Sequence, residues 1–341
     1  MIYHITYRDA GGVNTYINNL ILFSNNQTKI EVRRGEENWA LKHLSADQSG
    51  NITVIFHDPN ILRLYKHFGH SKIVLSLHGD NNYYYRATEE FGELADGILC
   101  VSEAIQKHLR NRFRKKSFLI GPSIPHNKAS FCPRELKSII FIGRESTNKG
   151  IHLLPELDAL LLKSRIRPIW NIVIGSRPEN QISFRNWLKS EPERITTYES
   201  IPNDDVKKLI ANSECLVLPS STEGHPMVVI EALASGTAPF TFQYCSGCQS
   251  HFPNDPSGIV SPSNDVREMA SKVVTYLQMT SEEKLSWRRS ARQFASRNHD
   301  PQVNSQKLEE ICNSMAATKK NRVTAIRLKW TRRILRAVDL W

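Results

Sequence analysis

Residues 216–240 read LVLPSSTEGHPMVVIEALASGTAPF. Leu216–Leu218 is a short apolar run of the kind that forms a buried strand. A polar turn follows. Pro226 then opens an apolar helix, in whose first turn a missing N–H costs nothing. Glu223 sits in the loop before this helix, and Glu231 sits in its second turn. A helix N-terminus suits a phosphate, and carboxylates accept hydrogen bonds from hydroxyls. The stretch therefore suits a ligand carrying both, such as a nucleotide-sugar. A plainer reading of Glu223 is an acidic residue favoured near a helix start. Glu231 is harder to dismiss, because an ionised group inside VVIEALA is costly without a partner.

Upstream, FIGRESTNKG at Phe141–Gly150 has the same strand–loop–helix form. Its strand ends at Gly143, and Arg144 and Lys149 stand in the loop. Arg offers a planar fork and Lys a point charge, which together can neutralise a diphosphate. A solvated loop is the alternative. Strand-like runs recur at Ser138–Ile142, Trp170–Gly175 and Cys215–Leu218, with helices from about Gly150, over Asp204–Asn212 and from Pro226. Asn264–Gln278 and Ser281–Ser296 read as two closing helices.

The first half alternates in the same way. Ile2–Tyr7, Ile52–Phe56, Ile73–Leu77 and Gly97–Val101 read as strands. Gly11-Gly12 makes a turn into a helix over Asn14–Phe23, with Val13, Ile17, Leu20 and Ile21 on one face. Glycines there let backbone N–H groups approach a ligand, or simply make a tight turn. Such alternation predicts parallel sheets with crossover helices, and ligands beyond the carboxyl ends of the strands. Lys115–Pro133, rich in Gly and Pro, reads as the interdomain linker. The expected domains are 1–133, 134–300 and a helical basic tail at 301–341.

At 341 residues the chain has room for two domains, and 40% apolar with 23% charged residues is ordinary globular composition. The formal charge of +11 is uneven: eight basic residues against Asp339 give residues 319–341 a charge of +7, leaving +4 for residues 1–318. Cys245 and Cys248 form a lone CxxC, and His251 with His225 is a poor substitute for a second zinc-binding pair. The six cysteines read as reduced thiols of a cytosolic protein. No secretory signal and no run long enough to span a bilayer is read. His4, His70 and His152 read as packing or surface groups, whereas His57 ends a strand and can line a cleft.

These motifs, with LHGD at Leu77–Asp80 and VSEAIQKHL at Val101–Leu109, resemble those of the retaining GT-B glycosyltransferases of family 4, also called glycosyl transferases group 1. The resemblance runs from about Tyr3 to Ser296. It implies an α/β GT-B fold: two Rossmann-like doubly wound domains facing across a cleft. It also implies roles. Gly11 and Gly12 offer N–H groups to the donor phosphates. His78 contacts the transferred sugar and the reacting centre. Gly143, Arg144 and Lys149 hold the diphosphate and stabilise it as it leaves. Glu223, Gly224 and Pro226 meet the sugar side, Met227 and Val228 cap the phosphates, and Glu231 holds the ribose. His78, Arg144, Lys149 and Glu223 are the catalytic candidates. Reactions in that family need no metal, and no DxD motif argues otherwise, so the resemblance implies neither metal nor other cofactor. His225-Pro226 departs from the family's usual aromatic residue and glycine. So do GSRPEN, after the Trp170–Gly175 strand, and Pro122-Ser123. Donor specificity is expected to have drifted at His225-Pro226.

The implied function is transfer of a sugar, with retention, from a nucleotide-diphosphate sugar to a glycan or lipid-linked acceptor in surface polysaccharide or lipopolysaccharide assembly. A GT-B nucleotide-sugar epimerase and a catalytically silent nucleotide-sugar-binding scaffold are the other readings. Arg144, Lys149, Glu223 and Glu231 speak against silence. In the tail, Val323, Ile326, Trp330, Ile334, Val338 and Trp341 recur at helical spacing among the basic residues. Such a helix suits an anionic membrane surface, giving a cytoplasmic protein peripheral on the inner face of the plasma membrane. Docking on protein is the alternative. No nucleic-acid partner is expected.

Overall fold

The computed structural model describes residues 1–34, 52–62, 71–125, 137–175, 181–243, 260–261 and 264–315. Expectations for the tail at 319–341, for Cys132, Cys245, Cys248, His70 and His251, and for most of GSRPEN lie outside these residues.

Two six-stranded sheets carry the fold. The first holds β1 (Ile2–Tyr7), β2 (Gln27–Val32), β3 (Thr53–Phe56), β4 (Lys72–Leu77), β5 (Gly97–Cys100) and β6 (Ser117–Leu119), in the order β2-β1-β3-β4-β5-β6. The second holds β7 (Ser138–Arg144), β8 (Ile169–Gly175), β9 (Ile195–Glu199), β10 (Cys215–Leu218), β11 (Ala238–Phe242) and β12 (Val260–Ser261), in the order β12-β11-β10-β7-β8-β9. Every pairing is parallel. β3, β5 and β10 are buried along their whole length. Continuous apolar runs form them because helices cover both faces of a parallel sheet.

Strand order reverses between β1 and β3 in the first sheet, and between β7 and β10 in the second. Loops diverge at such points and leave a crevice beyond the strand ends. Gly11-Gly12 and His57 follow β1 and β3. Glu145–Gly150 and Pro219–Pro226 follow β7 and β10, with Arg144 the last residue of β7. The motifs picked out by sequence thus sit at both switch points.

Several elements differ from expectation. Lys115–Pro133 is not all linker, because Ser117–Leu119 pairs with β5 as a short, half-buried edge strand. The helix expected from Gly150 begins at Leu154, after two 3-10 turns at Thr147–Lys149 and Ile151–Leu153. Gly150 between them is left-handed, at φ 70°, and breaks a continuous helix. The helix expected from Pro226 runs Met227–Ser235, with Pro226 extended at its N-cap. Helix Pro301–Ser314 returns to the first sheet, where Leu308, Cys312 and Met315 join the core of β1, β3, β4 and β5. The first part of the expected tail is therefore core structure. Just before it, His299 Nδ1–H donates to the Pro122 carbonyl at 2.7 Å, and the Ile124 N–H donates to the His299 carbonyl at 2.9 Å. Among the described residues no helix is long and apolar enough to cross a membrane.

Candidate active site

Two loops of the second sheet are laced together. The Ser221 N–H donates to the Asn148 carbonyl at 2.9 Å. Gly150 lies so close to Pro219 that a Cβ there would be 2.0 Å from the Pro219 carbonyl oxygen. This lacing brings Lys149 Nζ to 2.5 Å from Glu223 Oε1, with both side chains largely buried. Arg144 is exposed at the end of β7 and makes no ion pair among the described residues. Its neighbour Glu145 is fully buried and binds the Arg185 guanidinium and the Gln181 N–H. Burial alone would raise the Glu145 carboxyl, but those partners outweigh it and hold it below its usual range. Glu145 is thus an anchor that turns the β7 loop while Arg144 stays in solvent. Sequence reading did not separate these adjacent charges.

The same loops reach the first sheet. A Cβ on Gly224 would lie 2.3 Å from the His78 carbonyl oxygen. Only glycine allows this approach. Thr222 Oγ1 donates to the Asp80 carbonyl at 3.3 Å. His225 Nδ1–H donates to the Val101 carbonyl at 2.8 Å, and its ring meets His299 edge-on at 5.6 Å. The structure therefore uses His225 as a tie between the sheets, which gives the departure from the family pattern a structural role.

Gly12 and Met227 also face one another, with 4.0 Å between a Cβ on Gly12 and Met227 Cγ. They belong to the first turns of helices Gly11–Ile21 and Met227–Ser235. Neither helix start is capped by a side chain. Side chains cap the helices beginning at Asn82, Glu103, Val266 and Pro301, whereas those beginning at Leu154, Ile182 and Asn203 are bare as well, so the Gly11 and Met227 starts stand apart because they meet. Two bare helix N-termini meeting in one place leave N–H groups and partial positive charge for an anion. Gly11, at φ 41°, needs its glycine to enter the first of them.

Glu231 is 4% exposed. Among the described residues it makes no hydrogen bond or ion pair. Burial raises its carboxyl to about 7, and Lys207 offsets this only in part. A carboxylate held in that condition invites hydroxyl donors. Gly143 sits on β7 one residue before Arg144, with its α-carbon face toward the Phe141 ring and Lys149.

Sequence reasoning put His57 at the cleft, but it did not join His57 to His78 or bring His4 into contact with either. His78 Nε2 is 2.7 Å from His57 Nδ1, and His57 Nε2 is 2.9 Å from His4 Nδ1. His4 Nε2 is 3.0 Å from Gln27 Oε1. His4, expected as a packing or surface group, is fully buried and belongs to this row. β1 is buried on both faces, which puts His4 inside, but nothing local in sequence pairs it with residues just after β3 and β4.

Among the described residues no group of three or more His, Cys, Asp or Glu is arranged to hold a metal ion. Cys100, Cys215 and Cys312 are buried and form no disulfide among the described residues.

Residues 126–294 match the model of the family described as glycosyl transferases group 1. An uncharacterized glycosyltransferase of Haemophilus influenzae is 26% identical over 199 residues, covering 56% of each chain. The putative colanic acid biosynthesis glycosyltransferase WcaL of Escherichia coli is 22% identical over 284 residues, covering 78% of this chain and 65% of its own. The chain thus spans between about half and two-thirds of the length of these relatives. Among solved structures, Anabaena Alr3699/HepE in complex with UDP-glucose superposes with a TM-score of 0.72 at 13% identity, covering 92% of this chain and 99% of that one. The two-sheet arrangement is that of the GT-B fold.

Proposed function

We propose that this chain, whose residues 126–294 match the glycosyl transferases group 1 model, is a retaining glycosyltransferase of family 4. It would move a sugar from a nucleoside diphosphate to a glycan or lipid-linked acceptor in surface polysaccharide assembly. One observation carries this reading. Lys149 and Glu223 pair at the second switch point, on the loop whose Gly224 lies against His78 of the first sheet.

The chemistry follows from that arrangement. As the bond between the anomeric carbon and phosphate breaks, positive charge grows on the sugar and negative charge on the diphosphate. Arg144, Lys149 and the N–H groups of Gly11, Gly12, Met227 and Val228 meet the diphosphate. Groups fixed before the reaction stabilise that charge without reorganising. Glu223 takes sugar hydroxyls and Glu231 the ribose. The acceptor oxygen forms the new bond on the face the phosphate leaves, and its proton passes to the departing phosphate oxygen. No carboxylate needs to attack the sugar. A retaining glycosidase instead places two carboxyls about 5–5.5 Å apart across the bond, whereas here Glu223 is tied to Lys149 and Glu231 is buried in a helix. The cations and helix ends supply the charge that a metal supplies elsewhere, so the reaction is read as metal-independent.

The E. coli relative named for colanic acid supports the polysaccharide class, and UDP-glucose bound to HepE makes a UDP-sugar the first donor to try. The basic pattern of 319–341 supports peripheral attachment to the inner face of the plasma membrane. The division into 1–133, 134–300 and 301–341 is proposed with helix Pro301–Ser314 docked on the first part. The test is release of nucleoside diphosphate from a panel of nucleotide-sugars, with the anomeric configuration of any product read by NMR. Release with retained configuration supports the reading. Binding without release in any donor and acceptor combination rejects it.

A further inference from the structure

The row of histidines behind His78 has a direction. At its far end Gln27 Nε2 lies 3.3 Å from the Ser305 carbonyl, 2.9 Å from Ser305 Oγ and 3.2 Å from Glu309 Oε1. A carbonyl and a carboxylate only accept hydrogen bonds. The Gln27 amide must therefore point its NH2 at helix Pro301–Ser314 and its oxygen at His4. Glu309 is kept ionised, since Ser24 and Gln27 among its donors outweigh its burial. Turning the amide over would set its oxygen against that carboxylate.

The rest follows by alternation. Gln27 Oε1 can only accept, so His4 Nε2 carries the proton. Burial keeps His4 neutral, lowering it to about 4. A neutral imidazole has one donor and one acceptor, so His4 Nδ1 accepts from His57 Nε2–H. Burial, with His78 and His4 nearby, holds His57 far below its ordinary value. Its Nδ1 must then accept from His78 Nε2–H. Burial lowers His78 to about 3, so it too is neutral and its Nδ1 keeps a lone pair. Ser76 Oγ, 3.1 Å from His78 Nε2, shares the same N–H as a second acceptor. Tyr16 packs edge-on to His57 and His78 at 6.1 and 5.0 Å, but its hydroxyl donates to the Ile120 carbonyl and stays outside the row.

We propose that Gln27, His4 and His57 are positioning residues that fix His78 as its Nε2–H tautomer, so that Nδ1 meets a hydroxyl of the transferred sugar as an acceptor. The first half of this statement concerns the free protein. The second rests on the glycosyltransferase reading. Orientation of the cleft histidine is thereby set from helix Pro301–Ser314, two hundred and more residues away in sequence.

Long-range proton–nitrogen correlation on histidine-labelled protein reads the protonation of each ring nitrogen without any substrate. The expected result is Nε2–H with bare Nδ1 for His78, His57 and His4 at pH 7. Gln27→Leu should turn His78 into a mixture of tautomers. It should also lower kcat for nucleotide-sugar turnover roughly tenfold, the scale of one buried hydrogen bond, and leave binding of UDP unchanged. An Nδ1–H on His78 in the wild type overturns the proposal. So does a Gln27→Leu protein that loses kcat or stability while its tautomers stay unchanged. If no nucleotide-sugar is turned over, the glycosyltransferase reading fails, and the tautomers still decide the relay.

Discussion

Lys149 and Glu223 meet at 2.5 Å across two loops of one sheet, 74 residues apart in sequence. The pair joins the diphosphate side of the proposed site to its sugar side. In the free protein each charge satisfies the other. A bound donor would take both, the ammonium by its phosphates and the carboxylate by its sugar hydroxyls.

Lys149→Ala should cost about 10²–10³-fold in kcat, the scale for losing one preorganised group at a developing charge. Glu223→Gln should cost less. The double variant should lose less than the sum, because the two residues act as a unit. Single-turnover rates for the four proteins test this, and strict additivity would mean that the pair is not shared by one site.

Gly224→Ala places a methyl 2.3 Å from the His78 carbonyl oxygen. Neither backbone can yield without moving one sheet from the other. The expected outcome is a loss of at least tenfold in kcat with a stability loss of only about 1–3 kcal/mol. Urea unfolding and turnover measured on the same sample separate the two effects.

Glu231 gives a prediction with opposite signs for stability and function. Its folded value, about 7, stands above the ordinary 4.5. Between those values the folded state binds the extra proton, so stability contributed by the protonated acid is lost as pH rises toward 7. Glu231→Gln removes the charge problem. It should stabilise the free protein by roughly 2–3 kcal/mol at pH 8 and by little at pH 4.5, while weakening nucleotide binding. Thermal unfolding at both values checks the sign. A variant less stable than wild type at pH 8 would show that the carboxylate is already satisfied.

The buried histidines act the other way. His4 falls to about 4, His78 and His225 to about 3, and His57 lies well below its ordinary 6.5. Burial is the leading cause for each. The unfolded chain takes up protons near 6.5 while the folded one does not, so stability falls as pH drops below that value. Each group costs about 1.4 kcal/mol at pH 5.5, so the four together cost several. Urea midpoints at pH 7.5 and 5.5 should differ sharply, and His225→Phe should reduce the difference. A flat profile would mean that these rings are solvated.

Much of this was legible in sequence because it is local. Strand–loop–helix units at β7 and β10 carry their charges within a few residues, and the order of strands then puts both at switch points. Gly11-Gly12 was legible for the same reason. β2, β6, β9, β11 and β12 were not: Gln27–Val32 and Ile195–Glu199 mix polar residues into edge positions, and Ala238–Phe242 is a buried strand with a proline near its start. The relay was invisible because it crosses β1, β2, β3 and β4 and ends on a helix near residue 309. Its only local trace was a polar ring inside an apolar strand. His225-Pro226 looked like drift in specificity because a motif shows a departure, and only the fold shows that Val101 is waiting for it.

The most direct test is calorimetric titration of UDP and other nucleoside diphosphates into four proteins: wild type, Lys149→Ala, Glu231→Gln and the surface control Lys208→Ala. Wild type and the control should bind one of these diphosphates alike, and Lys149→Ala and Glu231→Gln should each bind it at least tenfold more weakly. Equal binding by all four proteins, or binding by none, would contradict a donor site divided between Lys149 and Glu231.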